Sequence, residues 1–219
     1  MLLHESPGIA PGLKHLMATV PHFADADPAK FDWLRRDADF GGMLRMILGQ
    51  QVSTHAATAM ANKLAVLMPE SDPQFFLTLS DQQLMSAGFS RQKMRYGRAL
   101  AETLLGDPDF LRRLEDEDDE AAIATLVQLP GIGRWSAEIY LMFCLGRPDV
   151  WPVGDLGIVI GAQYLLGLDA KPRPEEIVAL AEPWRPHRSA ASLLVWHHYA
   201  KVNAARRLEH KKPAKGSAG

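Results

Sequence analysis

Leu129-Pro130-Gly131-Ile132-Gly133-Arg134-Trp135-Ser136-Ala137 is a Pro/Gly turn set between two helical patterns. Pro130 lacks an N–H and biases Leu129 away from helical backbone, so it punctuates the first helix. Gly131 and Gly133 admit left-handed backbone and, having no Cβ, let another chain approach closely. The amides of Ile132, Gly133 and Arg134 stand at the open N-terminus of the next helix. There they are expected as unsatisfied donors in front of a positive dipole end, a setting that suits a phosphate oxygen. A bare Gly-x-Gly between helices is more often only a tight turn, so its weight depends on what surrounds it.

The surroundings are helical. Asp39, Ser53, Asp72, Ser80, Ser90 and Asp118 or Asp119 each precede a helical pattern as a capping residue, and Pro69, Gly106-Asp107-Pro108 and Pro130-Gly131 close three of them. Arg134 to Leu145 carries Ala137, Tyr140, Leu141 and Cys144 on one face. Further helices are expected near residues 156–166, 174–181 and 188–208. No run alternates apolar and polar residues as a half-buried strand would. The expectation is an all-α fold of about ten helices.

Composition bounds the function. The chain has 219 residues, of which 47% are hydrophobic, and a formal net charge of −2. It is long enough to bury a core and is not a uniformly basic body. One cysteine, Cys144, excludes an internal disulfide framework, a zinc knuckle and a four-cysteine cluster. No apolar run reaches the ~20 residues of a membrane span, and Met1 to Pro11 does not read as a signal peptide. An intracellular protein without cofactors is expected. The charge is uneven: from Pro183 onward eight Lys/Arg face one acid, whereas Glu115 to Glu120 is an unbroken acidic run. The acidic run reads as a solvated helix start, and the basic region is compatible with a phosphate-facing surface.

Asp155, twenty-two residues after Gly133, lies in Trp151-Pro152-Val153-Gly154-Asp155-Leu156-Gly157. The turn joined to this aspartate resembles the helix-hairpin-helix (HhH-GPD) DNA glycosylase superfamily. Ile47-Leu48-Gly49-Gln50-Gln51-Val52-Ser53 and Arg185-Pro186-His187-Arg188-Ser189, ending at Trp196, narrow the resemblance to the 3-methyladenine DNA glycosylase II (AlkA) type, over about residues 30 to 205. The resemblance implies two helical lobes with a cleft between them. Residues 45–147 would carry the hairpin, 1–44 with 148–208 would carry the catalytic aspartate, and 209–219 would be a disordered tail.

What the resemblance implies for function is specific. Asp155 would be catalytic, stabilising a sugar cation as the C1′–N bond breaks, although by position alone it is also a helix cap worth ~1 kcal/mol. Leu129, Gly131, Ile132, Gly133 and Arg134 would form the DNA-binding hairpin. Trp135 and Trp196 would grip a flipped, cationic base by their faces, while Ile139 occupies a wall that is aromatic in close relatives. Tryptophans at helical spacing are otherwise usually core. Gln51 falls where the family places a wedge, and is otherwise a helix-end glutamine. Bifunctional relatives carry a lysine nucleophile two residues after the last hairpin glycine; Trp135 stands there, which implies a hydrolase without lyase activity. The expected substrates are alkylated purines in double-stranded DNA (3-methyladenine and 7-methylguanine, with hypoxanthine and ethenoadenine as further candidates). No cofactor or catalytic metal is expected, a structural monovalent cation at the hairpin is compatible, and the chain is expected to act as a monomer away from membranes. The alternatives are a mismatch or oxidised-base glycosylase, and a non-catalytic hairpin protein that recognises distorted DNA. Lys201, Arg206 and Arg207 are candidate phosphate contacts or simply solvated.

Overall fold

Short polar caps start most of the helices. In the computed structural model, which describes residues 1–211 and side chains to residue 205 apart from Thr54, Asp39 accepts from Gly42, Ser53 from Ala56, Asp72 from Gln74, Ser80 from Gln83, Ser90 from Lys93 and Asp118 from Ala121. Each side-chain oxygen takes one of the amides that the first helical turn leaves unpaired. The described residues form twelve α-helices and no strand: α1 Ala10–Thr19, α2 Phe40–Gly49, α3 Thr54–Leu67, α4 Pro73–Thr78, α5 Asp81–Ser86, α6 Arg91–Gly106, α7 Phe110–Arg113, α8 Asp119–Leu126, α9 Arg134–Tyr140, α10 Leu156–Leu166, α11 Pro174–Ala181 and α12 Arg188–Lys211. The all-α class is as expected. No helix among the described residues is long and apolar enough to cross a membrane.

The chain divides into two compact units. One combines Met1–Leu34 with the chain from Arg147 onward, and holds α1, α10, α11 and α12. Its centre is α10 on α12, with α1 against α12 and Leu13 and Leu16 of α1 buried. The other, Arg35–Gly146, holds α2 to α9. It begins at Arg35 rather than at 45, because α2 packs on α3 and α6 and buries Met43, Leu44 and Ile47 completely. A helix with this apolar content is stable only where its neighbours cover it.

Two expectations on the chain need adjustment. Arg134 to Leu145 is not one regular helix: after Tyr140 the backbone widens into a π turn over Leu141–Leu145, which ends at Gly146 with φ 70°. Arg35 serves this end, donating from Nε and Nη2 to the carbonyl of Cys144 at 3.3 and 3.2 Å. The last helix runs past Leu208 to Lys211, so the boundary of the expected tail at 209 falls inside a helix, while residues 212–219 lie outside the described residues. The side chains of Arg206 and Arg207 also lie outside them; Lys201 is exposed.

Candidate active site

In the first unit the loop before α10 is pinned before it presents Asp155. Trp151 is buried and donates its indole N–H to the carbonyl of Ile177 at 3.0 Å. Ser189 Oγ donates to the carbonyl of Arg147 at 2.6 Å and accepts from the amide of Val150 at 3.0 Å. Arg188 grips Asp149 by two bonds, Nε to Oδ1 at 2.8 Å and Nη2 to Oδ2 at 3.0 Å, with both side chains less than a fifth exposed. A bidentate guanidinium–carboxylate pair sheltered from water fixes direction as well as distance. Loop 147–155 is therefore tied to the first turn of α12, and further along that same helix stands Trp196.

Asp155 is the N-cap of α10. Its Oδ1 accepts the amide of Ile158 at 3.0 Å and the indole N–H of Trp196 at 2.8 Å. The two helices come close enough for this because α10 has Gly161 at the crossing. A Cβ there would lie 2.7 Å from Val195 Cγ1 and 2.8 Å from its carbonyl oxygen. The carboxylate is half-buried and held by two N–H donors on a helix end, where the macrodipole also favours negative charge. The arrangement suits the stabilisation of a neighbouring cation. Trp33 stands beside Trp196 with ring centroids 6.1 Å apart, and Phe31 lies behind Trp33 at 5.2 Å. Trp33 was invisible to sequence reading, since nothing local links it to α12.

In the second unit the hairpin forms between α8 and α9 as expected. Gly131 has φ 84° and lies against the ring of Tyr96. Gly133 is the N-cap of α9 with extended backbone, exposed, and nothing lies within 4 Å of where its Cβ would be. Leu129 and Ile132 are each 5% exposed, and the amide of Ile132 is not open, because it donates to the carbonyl of Leu129 at 3.0 Å. Their side chains anchor the loop in the core. The guanidinium of Arg134 is engaged within the unit, donating to Glu120 Oε2 at 2.9 Å and to Glu138 Oε1 at 3.0 Å. The Glu120 carboxylate, and then Glu138, hold it protonated well above its ordinary range. Its head group staples α8 to α9, and what it presents at the loop is its backbone.

Trp135 and Ile139 are four residues apart on α9 and so share a face; Trp135 is half-buried and Ile139 is 7% exposed. Gln51 is exposed with φ 58°, the one non-glycine residue with positive φ among the described residues. Its neighbour Gln50 carries a connection that sequence reading missed: Nε2 donates to the carbonyl of Gly131 at 2.9 Å and to Ser136 Oγ at 3.1 Å. The partners are 81 and 86 residues away, so no local pattern announces them.

The family model described as HhH-GPD superfamily base excision DNA repair protein matches residues 44–186. The alkylbase DNA glycosidase-like protein of Schizosaccharomyces pombe is 29% identical over 164 residues, 73% of this chain and 77% of that protein. DNA-3-methyladenine glycosylase 1 of the same yeast is 30% identical over 158 residues, 70% of this chain and 69% of its own. Among solved structures, the S. pombe 3-methyladenine DNA glycosylase in complex with abasic DNA superposes with a TM-score of 0.74 at 24% identity, covering 85% of this chain and 95% of that one. At that identity the likeness concerns the fold.

Proposed function

Because the chain belongs to the HhH-GPD superfamily of base excision DNA repair proteins, we propose that it is a monofunctional DNA glycosylase that hydrolyses the N-glycosidic bond of alkylated purines in double-stranded DNA. The observation that carries this reading is the Asp155 carboxylate, rigidly held by Ile158 and Trp196. As the base leaves with the C1′–N bonding pair, the sugar becomes cation-like, and a fixed carboxylate beside C1′ stabilises it more than it stabilises the neutral ground state. Water then adds to C1′, its proton passing to Asp155 or onward to solvent. A base methylated at a ring nitrogen already carries positive charge, so it departs neutral and asks for no general acid. The relatives named for 3-methyladenine support this substrate class.

The indole face of Trp196 in the first unit is suited to attract a cationic ring, as is that of Trp135 in the second unit, where Ile139 adds an aliphatic surface. Gln51 fills the gap left by the extruded base. The amides of Gly133 and Arg134 hold a phosphate, and the affinity for DNA falls with salt. With Trp135 two residues after Gly133, no amine stands where a Schiff base would form, and an abasic site is the final product. The enzyme works as a cytoplasmic monomer without cofactor.

The reading is tested by incubating the chain with methylated duplex DNA and identifying what is released. Free methylated purine, an intact abasic strand and no adduct trapped by borohydride are expected. Binding without release, or efficient trapping, would overturn the proposal.

A further inference from the structure

Two loops that the proposed function uses separately are bolted to one helix. In α6, Lys93 and Tyr96 lie three residues apart and so on one face. Lys93 reaches the end of α2, where Nζ donates to the carbonyls of Leu48 at 2.6 Å and Gln50 at 2.9 Å. These are carbonyls that the end of a helix leaves unpaired, and a cation there also meets the negative end of the dipole. The ammonium is half-buried, and this burial lowers its pKa from the ordinary lysine range. One turn along, the ring of Tyr96 lies under the hairpin, so close that a Cβ on Gly131 would fall 2.1 Å from Cδ2. Gln50 closes the frame: its main chain is held by Lys93, and its side-chain amide holds Gly131 and Ser136. Directly after it comes Gln51, in a left-handed conformation that few non-glycine residues adopt.

We propose that Gln50 and Lys93 are positioning residues for base extrusion: they lock the Gln51 turn in register with the Gly131–Gly133 phosphate loop, so that the wedge enters the stack at a fixed distance from the anchored backbone. The inference rests on the proposed reading of Gln51 and of the hairpin. A mere stability role would need no link between the two loops. The Gln50 amide provides that link through two bonds, and it reaches them from a residue whose backbone Lys93 already fixes.

The effect is confined to the step that separates a base from its partner, so it depends on what stands opposite the lesion. Gln50→Met keeps the length of the side chain and removes both bonds to the hairpin, while leaving the Lys93 contacts to main-chain carbonyls in place. Lys93→Met removes the other half of the frame. Single-turnover release is measured from two duplexes, one with the lesion opposite a pyrimidine and one with it opposite an abasic site, where no partner base must be unpaired. For Gln50→Met we expect release opposite the pyrimidine to fall about tenfold, the equivalent of one ordinary hydrogen bond, and release opposite the abasic site to stay within about twofold. Lys93→Met should give the same asymmetry with a lower melting temperature. Equal losses on both duplexes, or no loss on either, would overturn the proposal while leaving the glycosylase reading intact. No release from either duplex by the wild-type chain would remove both.

Discussion

Trp196 donates its indole N–H to Asp155 Oδ1 at 2.8 Å, on the same oxygen that caps α10 through the amide of Ile158. One atom therefore joins a helix start, an aromatic wall and the charge assigned to catalysis. These three roles separate under substitution.

Asp155→Asn keeps an oxygen that accepts both N–H bonds and removes only the charge. Its stability should match wild type within about 0.5 kcal/mol, because asparagine caps helices as well as aspartate does. Asp155→Ala loses the cap and strands the indole N–H, and should cost about 1–2 kcal/mol. Urea unfolding of the three proteins checks this. An equal loss for both variants would show that the charge itself, rather than the hydrogen bonds, holds α10 to Trp196.

Trp196→Phe keeps an aromatic face and loses the donor. Base release should fall about tenfold, the value of one hydrogen bond to a charged acceptor at its lower end, with little change in DNA affinity. Trp196→Ala loses the face too and should fall further. Rates measured at saturating DNA distinguish these; identical rates for Phe and Ala would mean that the ring does not touch the base.

The two hairpin glycines make opposite predictions. Gly131 has φ 84° and faces Tyr96, so Gly131→Ala must strain the backbone and displace a ring, at a cost of about 1–3 kcal/mol in stability. Gly133 has φ −94° and open space at its Cβ position. Gly133→Ala should fold normally and weaken DNA binding alone, since only a nucleic-acid backbone would meet the added methyl. Thermal melts and binding titrations on both variants test the pair.

Burial shapes the behaviour of Cys144 at high pH. The thiol is 2% exposed, and burial pushes its pKa from 9.0 up to about 12. Below pH 9 it is protonated both folded and unfolded, and contributes nothing. Between those values the unfolded chain gives up the proton first, so the folded state binds more protons and stability falls as pH rises, by at most about 1.4 kcal/mol per unit. Burial raises Tyr140 as well, which extends the loss to higher pH. Denaturation at neutral and alkaline pH should show a shallower decline for Cys144→Ala than for wild type; parallel declines would contradict it. In the folded chain the thiol should also resist alkylating reagents.

What the sequence conveyed was local. Asp39, Ser53, Asp72, Ser80, Ser90 and Asp118 announced their helices because a cap acts within three residues, and the Pro130-Gly131 break did so for the same reason. Asp155 was legible through the residues around it. What stayed hidden was decided by distant partners. Helix α1 has no capping side chain and is held by burial of Leu13 and Leu16. The Arg134 guanidinium is held by Glu120, fourteen positions away, a pairing that no local pattern announces. Ile132 looked like an open donor until the tight turn closed it onto Leu129. Gln50 stood in a motif without any sign of its bonds to Gly131 and Ser136, and Trp33 gave no signal, because their partners are brought to them only by the folded packing of each unit.

In the proposed reaction the Asp155 charge drives bond cleavage. Its most direct test is single-turnover release of a methylated purine from a defined duplex by wild type and by Asp155→Asn, at protein concentrations where both are fully bound. Equal binding is expected, with a loss of at least about a hundredfold in the variant's rate, the scale of removing one preorganised electrostatic contact to the transition state. Undiminished release by Asp155→Asn would contradict it.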